Sequence, residues 1–350
     1  MNIPIARQDS AFAVIVALIA VTVLTMMAGA FAYAMKIETK LAANTNDDEQ
    51  FYWIGRGGVD RACWWLSLEA NQPFSSLQQY WAGGPGEGPE TNGPLAGESL
   101  SNFQIGEGTV SLKMTEQESK INVNTATSPL IEQVLTLQGA DAGSISEVSD
   151  SIMDWVSPGD TPRPGGAKSD YYLGLNPPYF AKDAPIDNPD EIMLVKGVTR
   201  AMYYGGSDSG VSSTLPEHQL GFGHAPGQEP VYAFGLKDVF TPYSSGKINL
   251  LTADDTVLQL IPGMDTTTAQ ALETARESDP PIRDPGTLLA AAGLNNNADA
   301  ARQILQFVTT QGSCYEVEAT VTIGQLSHTY KAILYRNGTT VTVFNFYRSN

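Results

Sequence analysis

The chain has 350 residues, of which 42% are hydrophobic, enough for two or three compact domains with cores of their own. Its 38 acidic and 20 basic residues give a formal net charge of −18. This balance argues against a nucleic-acid partner, because proteins that bind nucleic-acid phosphates carry an excess of Lys and Arg. It fits a soluble surface or sites for hard cations.

Residues 11–35 carry no charge and are apolar almost throughout. A helix of this length, rising about 1.5 Å per residue, could cross the roughly 30 Å hydrocarbon layer of a bilayer. Three fates are open for it. It could be a signal peptide removed after Ala32 or Ala34, a plain membrane anchor, or a prepilin-type helix that is retained after residues 1–10 are cut off between Ser10 and Ala11.

The segment that follows favours the prepilin interpretation, because the helical pattern continues past the membrane edge. Residues 36–70 contain no proline, although Gly55, Gly57 and Gly58 should weaken the helix locally. An apolar side at approximately helical spacing is formed by Ile37, Leu41, Tyr52, Val59, Ala62, Cys63, Leu66 and Ala70.

Strand patterns lie on both sides of a long middle segment. Residues 103–114 predict two short strands about a turn, and residues 315–323 alternate apolar and polar side chains as a half-buried strand requires. Residues 328–336 and 339–347 flank Asn337-Gly338, a pair that favours a type I′ hairpin turn. Because these late strands must pack on the distant N-terminal helix, we expect the middle of the chain to be an insertion.

The middle segment contains an internal repeat. Residues 119–126 and 246–253 share Lys-Ile-Asn-x-x-Thr-Ala, which predicts a short extended piece followed by Thr125 or Thr252 as a helix N-cap. A second recurring unit has a glycine between apolar residues, at 194–198, 260–264 and 291–294. We expect each glycine to take a positive φ in a helix-hairpin-helix turn that serves packing.

An acidic loop at residues 154–172 is the candidate metal site. Carboxylates spaced through a Gly- and Pro-rich loop can converge on Ca²⁺, and the candidates here are Asp154, Asp160 and Asp170. The loop lacks the EF-hand pattern, and the absence of Cys and His argues against zinc. The alternative is a solvated loop held by hydrogen bonds from the backbone to Asp.

Catalysis and disulfide bonding have little support in the sequence. The three histidines, His218, His224 and His328, have no nucleophile or carboxylate motif around them, and the glycine-rich residues 221–227 lack the Lys-Ser/Thr of a phosphate loop. We therefore predict no enzyme. Cys63 and Cys314 are too few for a disulfide framework, so we expect them to be unpaired, with a single bridge as the alternative.

Taken together in this order, these features resemble the K-type minor pseudopilin of type II secretion systems, and the resemblance covers nearly the whole chain. The matching pieces are the leader and helix, then residues 119–126, Ile152-Met-Asp-Trp155, Tyr171-Tyr172, residues 191–197, residues 236–241, residues 246–249 and Ile261-Pro-Gly263.

The resemblance implies an α+β fold in which a long N-terminal helix packs on a small antiparallel sheet, as in pilins, with a large, mostly helical inserted domain that contains helix-hairpin-helix or SAM-like units. The expected domains are a leader (1–10), a transmembrane part of the helix (11–35), a pilin-like domain (36–118 and 311–350) and the inserted domain (119–310).

The resemblance also implies a function. The expected role is non-enzymatic: a single-pass inner-membrane subunit, with its soluble part in the periplasm, at the tip of a pseudopilus. Its expected partners are the I- and J-type minor pseudopilins, the major pseudopilin, the prepilin peptidase and secreted substrates. The alternative is an envelope-anchored module that binds secreted substrate or calcium outside any filament. An envelope hydrolase is a third possibility.

The chain departs from the family pattern in three places. Ser10 stands where the leader usually ends in Gly, and Ile15 stands where most pilins carry a Glu that neutralises the neighbouring subunit's N-terminal amine. A tip subunit has no subunit above it to pair with, so it does not need that charge. Family acids of the loop are replaced by Ser157, Gly159 and Lys168.

Overall fold

The computed structural model describes residues 8–86, 94–95, 97–206, 231–278, 280–294 and 298–349. His218, His224 and residues 221–227 lie outside the described residues. For residues 8–11 and 41–47, which lie within a helix, the backbone alone is described.

Helix α1 spans Gln8–Leu68 without interruption. Its part Phe12–Lys40 contains an 18-residue window with a mean hydropathy of 2.5, and its side chains are exposed among the residues that the structure describes. By length and composition this part can cross a membrane. The predicted continuation of the apolar helix into a second, soluble stretch is therefore confirmed.

After α1 the chain forms strands β1 (Phe103–Ile105) and β2 (Gly108–Glu116), the pair predicted from the sequence, and then enters the middle segment. Up to residue 206 that segment contains β3 (Ile121–Asn122), α2 (Ser128–Gln138), α3 (Ala142–Val156), α4 (Ser169–Leu173), a 3-10 helix (Pro189–Leu194) and α5 (Arg200–Tyr204).

From residue 231 the middle segment continues with short helices and strands. These are α6 (Leu236–Val239), β4 (Phe240–Thr241), β5 (Ile248–Asn249), α7 (Asp255–Leu258), α8 (Thr266–Arg276), α9 (Pro285–Ala291), α10 (Ala298–Ile304) and β6 (Val308–Thr309). Three long strands end the chain: β7 (Cys314–Ile323), β8 (Leu326–Asn337) and β9 (Thr340–Ser349).

Strands that precede and follow the middle segment form one antiparallel sheet in the order β1-β2-β7-β8-β9. The C-terminal half of α1 packs on this sheet, and its glycines permit a close approach. A Cβ on Gly55 would lie 2.6 Å from Cδ2 of Tyr330, and one on Gly58 would lie 2.9 Å from Cγ1 of Val110. These glycines cost helix propensity but remove the side chains that would hold the helix off the sheet.

Two large hydrophobic cores result, together with a small cluster of Tyr243, Cys314 and Ile333. One draws all of its fully buried members from residues 121–308, and the other draws its members from residues 51–114 and 315–334. The predicted α+β fold is confirmed. A long helix packs on an antiparallel sheet, and a mostly helical segment lies in the chain between β2 and β7 of that sheet. The domain limits at residues 118 and 311 stay a prediction.

The two copies of the repeat have the same local structure. β3 pairs in parallel with β4, and β5 pairs in parallel with β6. In each copy the Asn side chain accepts a hydrogen bond from the backbone N–H two residues on, at 2.8 Å for Asn122 and 2.9 Å for Asn249. The predicted N-caps were wrong, because α2 begins after Thr127 and α7 after Asp254.

The glycine turns of the middle segment are as predicted. Gly197, Gly263 and Gly293 have φ of 82°, 89° and 97°. At Gly197 the space is also restricted, because a Cβ would lie 2.8 Å from Cγ2 of Val148. The predicted hairpin turn is displaced by one residue: Asn337 still pairs with Thr340, and Gly338, at φ 58°, is the first turn residue.

The two cysteines are free, as expected: Cys63 is half-buried on α1 and Cys314 is buried at the start of β7. Burial, with the nearby Asp60 carboxylate, raises the pKa of the Cys63 thiol to about 11. Neither thiol is therefore a ready nucleophile or metal ligand.

Candidate functional site

The first functional feature is the apolar part of α1. Ser10 and Ala11, the predicted cleavage position, lie within the helix close to its start. Cleavage there would leave the whole apolar stretch on the mature chain. Processing between these residues stays a prediction.

The face of α1 that points away from the sheet carries large exposed aromatic side chains. Trp53 is 64% exposed and Trp64 is 44% exposed. They lie eleven positions apart, about three turns, and so on the same side of the helix. Exposed tryptophans are among the residues that contribute most at protein interfaces. We call Trp53 and Trp64 the outer tryptophan pair.

The second feature is a buried polar joint where the chain leaves the sheet for the middle segment. Glu116, the last residue of β2, is 1% exposed. Asn249 Nδ2 donates to both of its carboxylate oxygens at 2.9 Å, and the Thr252 hydroxyl donates to one of them. The second copy of the repeat is thereby fixed to the end of the sheet.

The returning chain is fixed at the same place. Glu118 is buried and accepts hydrogen bonds from the backbone N–H groups of Ser313 and Cys314, both at 3.2 Å. Arg336 Nη2 donates to the Ser75 hydroxyl at 2.9 Å and to the carbonyl of Gly312 at 2.8 Å. We define the polar joint as Glu116, Glu118, Asn249, Thr252 and Arg336.

Glu116 is the electrostatically unusual member of the polar joint. Burial raises the pKa of its carboxyl group to about 8, and the neighbouring Glu118 carboxylate adds to this rise. The hydrogen bonds from Thr252 and Asn249 and the charge of Arg336 oppose it. The neutral form of this buried carboxyl group is therefore favoured more than in an exposed glutamate.

The sequence contained a signal for Glu116 that the strand assignment did not use. In β2 the core-facing positions are Gly108, Val110, Leu112, Met114 and Glu116. The period of two thus places an acid on the buried face, where an ionisable group requires partners. The partners, Asn249 and Thr252, lie more than 130 positions later in the sequence, so the alternation along the strand cannot identify them.

The third feature is the acidic loop, and its three predicted ligands do not meet. Asp154, at the end of α3, is 2% exposed, whereas Asp160 and Asp170 are exposed. Within the part of the chain that the structure describes, no three Asp, Glu, His or Cys residues form a group that could hold a metal ion.

Asp154 has protein partners instead of an ion. Its Oδ1 accepts from Arg163 Nη1 at 2.8 Å, and its Oδ2 accepts from the backbone N–H of Arg163 at 2.9 Å. Gly166 lies against the same carboxylate, because a Cβ there would come within 1.9 Å of Oδ2. The loop is thus folded onto α3 by an ion pair. Calcium binding stays a prediction, and these residues do not fit it.

Sequence comparisons point to one family. A family model for protein K of the type II secretion system (T2SS) matches residues 109–205. The type II secretion system protein K of Aeromonas hydrophila is 23% identical over 207 residues, which are 57% of this chain and 62% of that protein. The protein of the same name from Klebsiella pneumoniae is 22% identical over 212 residues, 56% of this chain and 60% of that protein. The matches thus span less than two thirds of these relatives.

A solved structure shares the fold over almost the whole chain. It is a chain in the crystal structure of the GspK-GspI-GspJ complex from the type 2 secretion system of enterotoxigenic Escherichia coli. The match has a TM-score of 0.66 at 15% identity and covers 88% of this chain and 99% of that chain. At this identity the match shows the fold.

The chain has a pilin-like α+β fold with an N-terminal apolar helix and a large, mostly helical insertion between two strands of its sheet. Among proteins of this fold it resembles the K-type minor pseudopilins of type II secretion. That resemblance, first indicated by the order of the sequence motifs, is confirmed by the family model, the relatives and the fold.

Proposed function

We propose that this protein is a non-enzymatic minor pseudopilin at the tip of a type II secretion pseudopilus, where it initiates assembly and supports protein export. The observation that carries the proposal is the continuity of α1. One helix, Gln8–Leu68, supplies both a stretch able to cross a membrane and the surface on which the sheet packs. This is the arrangement of a subunit that is drawn from a membrane into a filament.

The proposed location is the inner membrane, in a single pass, with the sheet and the inserted segment in the periplasm. Prepilin peptidase would remove residues 1–10 by cutting between Ser10 and Ala11. N-terminal mass spectrometry of the mature protein should then find Ala11, or a residue beside it, as the first residue. A start after Ala32 or Ala34 would instead indicate a secreted protein that loses its helix.

The proposed partners are the I- and J-type minor pseudopilins first and the major pseudopilin below them. The neighbouring structure comes from a complex of GspK with GspI and GspJ, which supports this choice. On this chain the outer tryptophan pair is the surface we assign to a neighbouring pilin-like helix. Its side chains are exposed on the side of α1 that points away from the sheet, so a partner could cover them without disturbing the core.

Co-purification tests this proposal against the alternative of an envelope-anchored binding module. The full-length protein, tagged and extracted in non-ionic detergent, should retain the I- and J-type subunits. The double variant Trp53→Ser, Trp64→Ser should lose most of them. A matched control is Phe180→Ser, which removes an aromatic side chain that is 71% exposed on the inserted segment.

Equal recovery of the partners with both variants would remove the outer tryptophan pair from the interface. Recovery of no pilin-like protein with the wild type, together with capture of a secreted protein, would favour the binding module. Deletion of residues 11–35 does not separate the two proposals, since both require the helix.

A further inference from the structure

The ammonium group of Lys168 lies at the position in the acidic loop where several oxygen atoms converge. Its Nζ donates to the backbone carbonyls of Asp154 and Ser157, both at 2.6 Å, and to Asp183 Oδ1 at 2.7 Å. An ammonium has three N–H donors, so all three are used. The side chain is 6% exposed, which makes this a buried, fully bonded cation.

These three acceptors come from two segments that are separate in the sequence, the end of α3 and the loop at Asp183. The carbonyls of Asp154 and Ser157 belong to the C-terminal end of α3, where helix carbonyls lack intrahelical partners and the helix dipole favours a positive charge. Asp183 lies beyond α4 in a loop, with a φ of 50°. The backbone of Lys168 itself is the N-cap of α4. One cation thus joins the end of α3, the start of α4 and the next loop.

The acids around this point are already neutralised or hydrogen-bonded by protein groups. Asp154 pairs with Arg163 at 2.8 Å and Glu147 with Lys196 at 3.0 Å. Asp150 accepts from the backbone N–H of Gly165 at 3.0 Å. Little uncompensated negative charge therefore remains to attract a divalent ion, and the ammonium would repel one.

We propose that Lys168 is a built-in cation that takes the structural place of a divalent metal ion in this loop. Two backbone carbonyls and a carboxylate are the kinds of ligand that a hard cation prefers. Here a covalently attached ammonium meets them with hydrogen bonds. The loop and the α3–α4 connection therefore form without calcium, and their stability is independent of calcium concentration. This proposal does not rest on the proposed function.

The test measures thermal unfolding of the full-length protein in non-ionic detergent, together with amide hydrogen exchange of peptides that cover residues 154–183. After treatment with a chelator, the wild type should keep its Tm, and millimolar calcium should leave both the Tm and the exchange rates unchanged. A calcium-dependent rise in Tm that the chelator reverses would overturn the proposal.

Lys168→Met should lower the Tm by about 5 to 10 °C and speed exchange in residues 154–183, because it leaves the buried oxygens without a cation. Lys182→Met is the matched control. Lys182 pairs with two carboxylates, Asp187 and Glu191, and not with the carbonyls at the end of a helix, and its side chain is 21% exposed, so a smaller loss is expected. Equal effects of the two variants would overturn the proposal.

Lys168→Glu adds a positive test. It replaces the ammonium with a carboxylate beside the same oxygens, so the variant should be destabilised without metal and should regain Tm and slow exchange when millimolar calcium is added. A variant that does not respond to calcium would show that these oxygens do not form a cation position. If Lys168→Met does not accumulate as folded protein, the wild-type calcium titration and the response of Lys168→Glu decide the question.

Discussion

Two buried carboxylates, Asp154 in the acidic loop and Glu116 in the polar joint, are 2% and 1% exposed but are stabilised in opposite ways. Asp154 is met by the guanidinium of Arg163 and by a backbone N–H. Glu116 accepts hydrogen bonds from an amide and a hydroxyl group, and another carboxylate lies nearby. The difference shows that a buried carboxyl group can have a cation or neutral hydrogen-bond donors as its partners, and that with neutral donors the cost of burial appears as a raised pKa.

The largest expected effect concerns pH and Glu116. Its folded-state pKa of about 8 lies above the ordinary value of 4.5, so the folded protein binds this proton more tightly than the unfolded chain does. The stabilisation is complete below about pH 4.5 and is lost as pH rises to about 8. Glu116→Gln should remove this loss.

The measurement is denaturant unfolding of wild type and Glu116→Gln at several pH values. The variant should gain roughly 2 to 4 kcal/mol relative to wild type between pH 5 and pH 9, since each shifted pKa unit is worth about 1.4 kcal/mol. Comparing the two proteins cancels the titration of all other groups. Parallel pH curves would show that Glu116 is ionised in the folded protein.

The second prediction concerns Asp154, the buried carboxylate that is paired with a cation. Asp154→Ala should destabilise the protein by about 2 to 3 kcal/mol, because it leaves the guanidinium and the backbone N–H of Arg163 without their acceptor. The same denaturant unfolding series measures this loss.

The matched control for Asp154→Ala lies in the same loop. Asp160 is exposed, so Asp160→Ala should change the free energy of unfolding by less than about 0.5 kcal/mol, with or without calcium. A larger loss at Asp160, present only when calcium is added, would restore the calcium site predicted from the sequence.

A smaller effect than at Glu116 or Asp154 is expected at Thr252, whose hydroxyl donates to Glu116 and holds its pKa down. Thr252→Val should cost about 1 kcal/mol and should move the pH-dependent loss of stability upward. The same unfolding series measures both. A shift toward lower pH would mean that the hydroxyl stabilises the protonated carboxyl group rather than the ionised one.

Several parts of the fold could be predicted because their cause is local. The alternation in residues 315–323 gave β7, and the positive φ at Gly197, Gly263 and Gly293 followed from glycine between short helices. Where two local signals competed, the sequence was misleading. Thr125 and Thr252 looked like N-caps, but α7 uses Asp254 and Thr252 bonds Glu116.

The candidate sites were less predictable because their partners are distant. Asp154, Asp160 and Asp170 are neighbours in sequence, which suggested a shared ion, yet α3 buries the first and leaves the other two in solvent. In the sequence, Lys168 is one of the departures from the family pattern of the acidic loop. In the structure its ammonium group contacts Asp183 and the end of α3, so the positive charge that would repel a metal ion holds the loop in place.

The sequence by itself determined the apolar helix, the alternating strands, the glycine turns and the absence of a disulfide framework, since each depends on residues within a few positions of one another. The tertiary structure decided which side chains contact one another across the fold. It brought Glu116 to Asn249, Lys168 to Asp183 and the glycines of α1 to Tyr330 and Val110. These pairings depend on how whole elements are packed, because electrostatic and steric contacts act through space and not along the chain.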